Sequence, residues 1–255
     1  MCVNSTDACR KDLERSGFIV ELVGPSGSGK STLARAIVAA FPAARLVASA
    51  RPAEDVRDGR FQLPPAMARA IKLVSLVPRP FGAVAEDDTA VRLLLSLLPT
   101  SSRLWRLRYR RYLADLTTIL RRERAAGGVA VLDQGFINAV GTLASFGRGA
   151  GKETLARALE MAPRPDLIVR IEAPRDVIAG RLRSRLGAQS PAERLFEPSI
   201  PETLRQINVF GALGPILDDI GIPSIQVSCP DRGSLEKATA TALDRIASLR
   251  AEAMA

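Results

Sequence analysis

The chain has 255 residues, of which 47% are hydrophobic and 25% charged, enough for one sizeable core and too apolar for a disordered segment. It holds 36 Lys and Arg against 27 Asp and Glu, a net charge of +9; only five are Lys (Lys11, Lys30, Lys72, Lys152, Lys237), so 31 are Arg and phosphate-bearing partners of every size stay open. With no His in the chain, His-based general base catalysis, a Ser-His-Asp triad and His-ligated zinc are excluded.

The first residues, "MCVNSTDACRKDLERSG", are polar and unlike a signal peptide, and residues 1–16 are expected to be a flexible N-terminal segment. "FIVELV", Phe18 to Val23, is an apolar run that reads as a buried strand. A helix follows with Leu33, Ile37 and Phe41 on one face, then a second strand at "RLVAS", Arg45 to Ser49. Helical patterns cover Pro65–Val77 and Asp88–Leu98, separated by "PRPFG", and a long basic helix runs from about Ser102 to Ala126, where Gly127-Gly128 stops it. "VAVLD", Val129 to Asp133, is the third strand and "DLIVRIE", Asp166 to Glu172, the fourth. A helix spans Pro174 to Leu186, a polar loop or flap covers "GAQSPAERLFEPSIP", and another helix runs from about Glu202 to Ile220. "PSIQVS" is the fifth strand, and an amphipathic helix closes the chain.

Strands that alternate with helices, several apolar throughout, predict an α/β fold with a parallel sheet covered by helices on both faces. We expect a single domain over residues 17–251 with a helical insertion. No apolar run reaches the length of a membrane span, and Cys2, Cys9 and Cys229 form no paired framework, so a cytoplasmic protein with reduced thiols is expected.

Gly24-Pro25-Ser26-Gly27-Ser28-Gly29-Lys30-Ser31-Thr32 carries the pattern G-x-x-x-x-G-K-[ST] between a strand and a helix. Its glycines let backbone N–H groups approach phosphate, and the helix that opens there adds its positive end. Lys30 is placed to reach the β- and γ-phosphates of a nucleotide, and the Ser31 hydroxyl to ligate Mg²⁺. "GRGAGKE", Gly147 to Glu153, is no second copy, because Phe146 and Glu153 break the pattern and no strand precedes it. Asp133, at the carboxyl end of the third strand, is the candidate second carboxylate of the metal shell. Gln134 follows it in place of the Glu of motor and transport ATPases, and no N-K-x-D reads guanine.

The chain resembles the thymidylate kinase-like branch of the nucleoside monophosphate kinases. "GPSGSGKST" matches that family's phosphate loop, and "YLADLTTILRRERAAGGVAVLDQG" resembles its long helix, Gly-rich turn and strand ending in Asp. "RPDLIVRIEAPRDVIAGRLRSR", "ERLFE" and "SCPDRGSLEKA" resemble its P-D-L strand with spaced arginines, its lid and its adenine-cupping loop. The resemblance implies a five-stranded parallel sheet, ATP as donor, Mg²⁺, and an Arg-rich lid at about 186–200. Arg185 and Arg194, with Arg181 and Arg183 behind them, are implied to close on the phosphates, and Arg232 to pack on adenine. Three departures fall on the acceptor side. Gln134 and Leu116 stand where the family has Arg, and the family's R-E-P-G-G is at best Arg51-Pro52-Ala53-Glu54.

The expected function is transfer of the ATP γ-phosphate to a small molecule, a nucleotide or nucleoside first. A sugar, antibiotic or other hydroxyl compound is the alternative, with Glu54, Asp55 or Asp133 as base and Arg51 and Gln134 facing the acceptor. A P-loop ATPase switch that binds a protein or nucleic acid is the alternative of another class. The arginines of segment 102–126, interleaved with Trp105, Tyr109 and Tyr112, read first as the solvated face of a packed helix, with an acceptor pocket next and nucleic acid or membrane last. A small-molecule acceptor is therefore the expected partner, without a membrane, and a homodimer stays open.

Overall fold

The computed structural model describes residues 17–47, 89–99, 103–146, 150–188 and 200–254. In chain order these form β1 (Phe18–Val23), α1 (Lys30–Ala40), β2 (Ala44–Val47), α2 (Thr89–Leu97), α3 (Arg103–Ala126), β3 (Val129–Leu132), α4 (Phe136–Phe146), α5 (Lys152–Met161), β4 (Leu167–Glu172), α6 (Arg175–Ala188), α7 (Ile200–Asp219), β5 (Ser224–Ser228) and α8 (Arg232–Met254). The five strands form one sheet in the order β2-β3-β1-β4-β5, and every neighbouring pair is parallel. All five strands read from the sequence are present, and each helix predicted within the described residues is found. The pattern at Pro65–Val77 and most of the 186–200 lid lie outside them.

Period-two alternation sends β1 to two cores. Ile19 and Val23 pack with Ala130, Leu132 and Ile168 against α2, α3, α4, α5 and α7. Val20 and Leu22 pack with Val131, Val169 and Val227 against α1 and α8. The strands are buried on both faces, as an all-parallel sheet requires.

The sequence reading passed over α4 and α5. α4, "FINAVGTLASF", is apolar nearly all round, so a 3.6-residue stripe does not stand out; its residues from Phe136 to Ala144 are buried or half-buried between the sheet and α7. α5 opens after Gly151 within the rejected loop-like segment, and the element before it is indeed a helix, not a strand.

The amino edge of the sheet is clasped by Arg124 of the basic helix and by Arg45 of β2. Arg124 donates to the Gly17 carbonyl (2.8 Å), to the Arg164 carbonyl (3.0 Å) and to the Asp166 carboxylate, which also accepts the Ile19 amide at 2.6 Å. Arg45 of β2 pairs with buried Glu123 at 3.1 Å. These contacts fix the C-terminal end of α3 to the amino edge. α3 has 24 residues, about 36 Å at 1.5 Å per residue. β3 has four, about 13 Å. Trp105 and Tyr109 lie in the N-terminal half of α3 with their rings 6.0 Å apart, and Tyr109 packs against the core. Leu113 and Leu116 are buried and Leu120 is half-buried while Arg106, Arg110, Arg121 and Arg122 are exposed, as a packed helix with a solvated basic face requires; Leu107, expected on the packed face, is instead 55% exposed.

Candidate active site

β1 ends at Val23 and the chain turns through residues 24–29 into α1. β3 and β4 flank β1, so the loop sits at the switch point of the sheet, outside the carboxyl ends of its strands, where open α/β sheets bind ligands. Gly27 and Gly29 have φ of 82° and 108°, left-handed values that a side chain would strain. Lys30 is buried, and its ammonium donates to the carbonyls of Gly24 (2.7 Å) and Pro25 (2.9 Å), which closes the loop on itself.

The Ser31 hydroxyl donates to Asp133 Oδ2 at 3.2 Å. Two hard oxygen donors from α1 and from the end of β3 thus meet at the mouth of the loop, a donor set that fits Mg²⁺, which takes one or two carboxylates together with substrate phosphates.

A cleft of about 400 Å³ opens here, lined among others by Ser26, Lys30, Thr32, Asp133, Gln134 and Arg232. The predicted phosphate loop, metal pair and adenine-side Arg232 therefore meet in one place. Arg232 begins α8, mostly in solvent, and pairs with Glu236 at 3.5 Å. The turn before it is held by a reciprocal cap. Asp231 accepts the Ser234 amide at 2.8 Å and the Ser234 hydroxyl accepts the Asp231 amide at 3.1 Å. These bonds hold the Asp231 carboxyl below its ordinary range.

Arg181 departs from its expected part. Its guanidinium donates to four backbone carbonyls, of Gly27 (3.3 Å), Ser28 (3.2 Å), Cys229 (2.7 Å) and Pro230 (2.9 Å). It ties the phosphate loop to the loop before α8 instead of reaching out as a lid arginine. The fork of a guanidinium suits this, because its N–H groups diverge in one plane. Arg183 is exposed on α6. Arg185 lies on the same helix with its side chain outside the described residues, as are Arg51, Glu54, Asp55 and Arg194 altogether.

Sequence reasoning missed a buried polar chain beneath the cleft. Glu21, 3% exposed in the middle of β1, accepts the Asn138 amide at 2.8 Å, and the nearby amides of Gly135, Phe136 and Ile137 favour its charged form. It caps the N-terminus of α4 from across the sheet, where the orphan amides and the helix dipole favour an acceptor. Burial, the larger effect, nonetheless pushes its carboxyl up to about 8. Asn138 is itself buried, and its side-chain oxygen accepts the Gly24 amide at 3.2 Å. Gly135 has no alternative here, since a Cβ would lie 2.4 Å from the Glu21 carboxyl. The signal was present in "FIVELV": an acid inside a strand buried on both faces needs partners.

A family model described as an AAA domain matches residues 19–198, which takes in the loop, Asp133 and α6. The chain belongs to this AAA-domain family. Among solved structures, the AAA-domain chain is similar to deoxyadenosine kinase from M. mycoides with bound dATP, at 10% identity and a TM-score of 0.52, over 90% of this chain and 99% of that one. It is also similar to thymidylate kinase from Candida albicans, at 12% identity and a TM-score of 0.51, over 91% and 92%. At these identities the likeness establishes the fold, a P-loop fold shared with nucleoside and nucleotide kinases. No curated protein matches the chain by sequence.

Proposed function

We propose that this AAA-domain protein is an ATP- and Mg²⁺-dependent phosphotransferase that moves the γ-phosphate of ATP to a small molecule, a nucleotide or nucleoside in the first place. The observation that carries the reading is the single cleft that gathers the phosphate loop, the Ser31–Asp133 pair and Arg232. In this reading the segment Gly24, Pro25, Ser26, Gly27, Ser28, Gly29 and Thr32 cradles the triphosphate, with the backbone N–H groups of Ser26, Gly27 and Gly29 turned to it and Pro25, which has no N–H, shaping the turn. Lys30 turns from its loop carbonyls to the β- and γ-phosphates, and Ser31 and Asp133 hold Mg²⁺, which neutralises charge on the phosphates when bound. Arg232 packs on the base. Arg185 and Arg194 come from α6 and the lid to the transferring group, where cations stabilise charge and closure excludes water. The acceptor oxygen bonds to the γ-phosphorus, the bond to the β-phosphate oxygen breaks, and ADP leaves.

The acceptor end rests on fewer residues. Gln134 lines the cleft next to Asp133 and brings hydrogen bonds without charge. Arg51 is the cation proposed for an acceptor phosphate. For a hydroxyl acceptor the released proton goes to a carboxylate, Asp133, Glu54 or Asp55. The free, buried thiol of Cys229 suits the proposed cytoplasmic location. The experiment is an ATP-consumption screen over nucleosides, nucleoside monophosphates, sugars and amino alcohols with a no-acceptor control. Consumption that needs a nucleoside or monophosphate supports the proposal. Consumption without any acceptor supports the ATPase switch, and none under any condition removes the enzyme.

A further inference from the structure

Three elements meet beneath the cleft: β1, which delivers the phosphate loop; the turn after β3, which delivers Asp133 and Gln134; and the start of α4. Backbone hydrogen bonds in the β1–β3 ladder stop at Glu21 and Leu132. Beyond that register the chains part, one into the loop and the other into Asp133-Gln134-Gly135. What joins them there is made of side chains. Glu21 binds the α4 side through the Asn138 amide (2.8 Å), and Asn138 returns to the β1 side through the Gly24 amide (3.2 Å). The two bonds run in opposite directions between the same pair of elements and form a buried ring across the gap.

We propose that Glu21 and Asn138 are positioning residues that hold the phosphate loop and the Asp133 turn in the register needed to bind MgATP, acting as one unit. Neither contributes to the lining of the cleft, and neither is proposed to touch nucleotide or metal. The consequence is geometric. Ser31 enters the cleft from the loop side and Asp133 from the α4 side, so the metal pair is correctly spaced only while the two sides keep their register. Gly135 takes part by default, since its lack of a side chain lets the Glu21 carboxyl lie against the turn. The inference rests on the proposed ATP site and concerns what shapes it.

The test reads MgATP binding by calorimetry in the full chain, with no acceptor present, for wild type, Asn138→Ala, Glu21→Leu, Glu21→Gln and the double variant Glu21→Leu/Asn138→Ala. A thermal melt of each defines the folded fraction. Asn138→Ala removes the bond to Gly24 and keeps the amide that Glu21 binds, so it should weaken MgATP about three- to tenfold, the size of one net hydrogen bond. Glu21→Leu should weaken it at least as much, and Glu21→Gln, which keeps an acceptor oxygen for α4, should restore most of the loss. The double variant should be no weaker than the worse single one, because both residues act through one ring. If Glu21→Leu does not fold, Asn138→Ala and Glu21→Gln carry the test. A role in folding alone predicts a smaller folded fraction that binds MgATP with wild-type affinity. That result, or additive losses in the double variant, overturns the proposal. Wild-type protein that binds MgATP and transfers nothing overturns the kinase reading and leaves this one standing.

Discussion

Glu21→Gln should change how stability depends on pH, and the size of the change follows from burial. The carboxyl is pushed from an ordinary 4.5 to about 8 in the folded chain, chiefly by desolvation. A raised folded-state value means that the folded chain keeps the proton over a range in which the unfolded chain gives it up. Stability is therefore full below about pH 4.5 and falls until about pH 8, where the folded form also ionises. One unit is worth about 1.4 kcal/mol, so between pH 5 and pH 8 the loss approaches about 4 kcal/mol. That is a large share of the roughly 5–15 kcal/mol that holds a typical domain. α4 carries no charged residue. Gln has the shape of the protonated acid and does not titrate. Urea titrations of both forms at pH 5, 6.5 and 8 should show the wild-type midpoint falling toward and then below that of Glu21→Gln. With a slope of about 3 kcal/mol/M the relative displacement over this range is more than about 1 M. Midpoints that stay parallel from pH 5 to pH 8 would show that Glu21 is already ionised and held by the amides of α4, and the argument from burial would fail.

Lys30→Ala should remove turnover and leave the melt close to wild type, since a positioned charge on the transferring group is worth roughly 2.7–4 kcal/mol of barrier; kcat/KM within threefold of wild type refutes it. Ser31→Ala and Asp133→Asn should each raise the Mg²⁺ needed for half-maximal rate, read from a Mg²⁺ titration at fixed ATP, and an unchanged titration in Asp133→Asn removes that carboxylate from the metal shell. Arg181→Met breaks the tie between the phosphate loop and the loop before α8, so affinity for ATP should fall more than affinity for inorganic triphosphate; equal losses in calorimetry would mean that Arg181 acts by charge alone. Gln134→Arg should lower KM for a nucleoside monophosphate relative to its nucleoside if the acceptor carries phosphate, because charge-assisted bonds are roughly twice as strong as neutral ones. If matched kinetics show no such gain, Gln134 does not face the phosphate.

What was legible in the sequence was whatever a local pattern encodes. Apolar runs located all five strands, and the spacing of glycines, Lys30 and Ser31 placed the phosphate loop. Asp133 was legible because a residue that ends a parallel strand stands at the edge where ligands bind. What escaped was non-local. α4 hid because a helix buried nearly all round has no polar face to set its period. Arg181 looked like a phosphate arginine because its partners, four carbonyls on two distant loops, leave no mark on the residues around it. Arg124 looked like one of many basic side chains until the fold brought Gly17, Arg164 and Asp166 to its guanidinium. Glu21 was the exception. Its charge type contradicted its strand, and only its partners were hidden.

The sheet that carries the site also divides its labour. Among the described residues one face is closed by two helices, α1 and α8, and the other by five, α2, α3, α4, α5 and α7. Substitutions that reshape the five-helix layer are screened from α1 and α8 by a plane of backbone hydrogen bonds. Selection and engineering therefore have a whole layer to vary while the other face keeps its form, provided the ring of Glu21 and Asn138, which ties that layer to the loop after β1, is left alone.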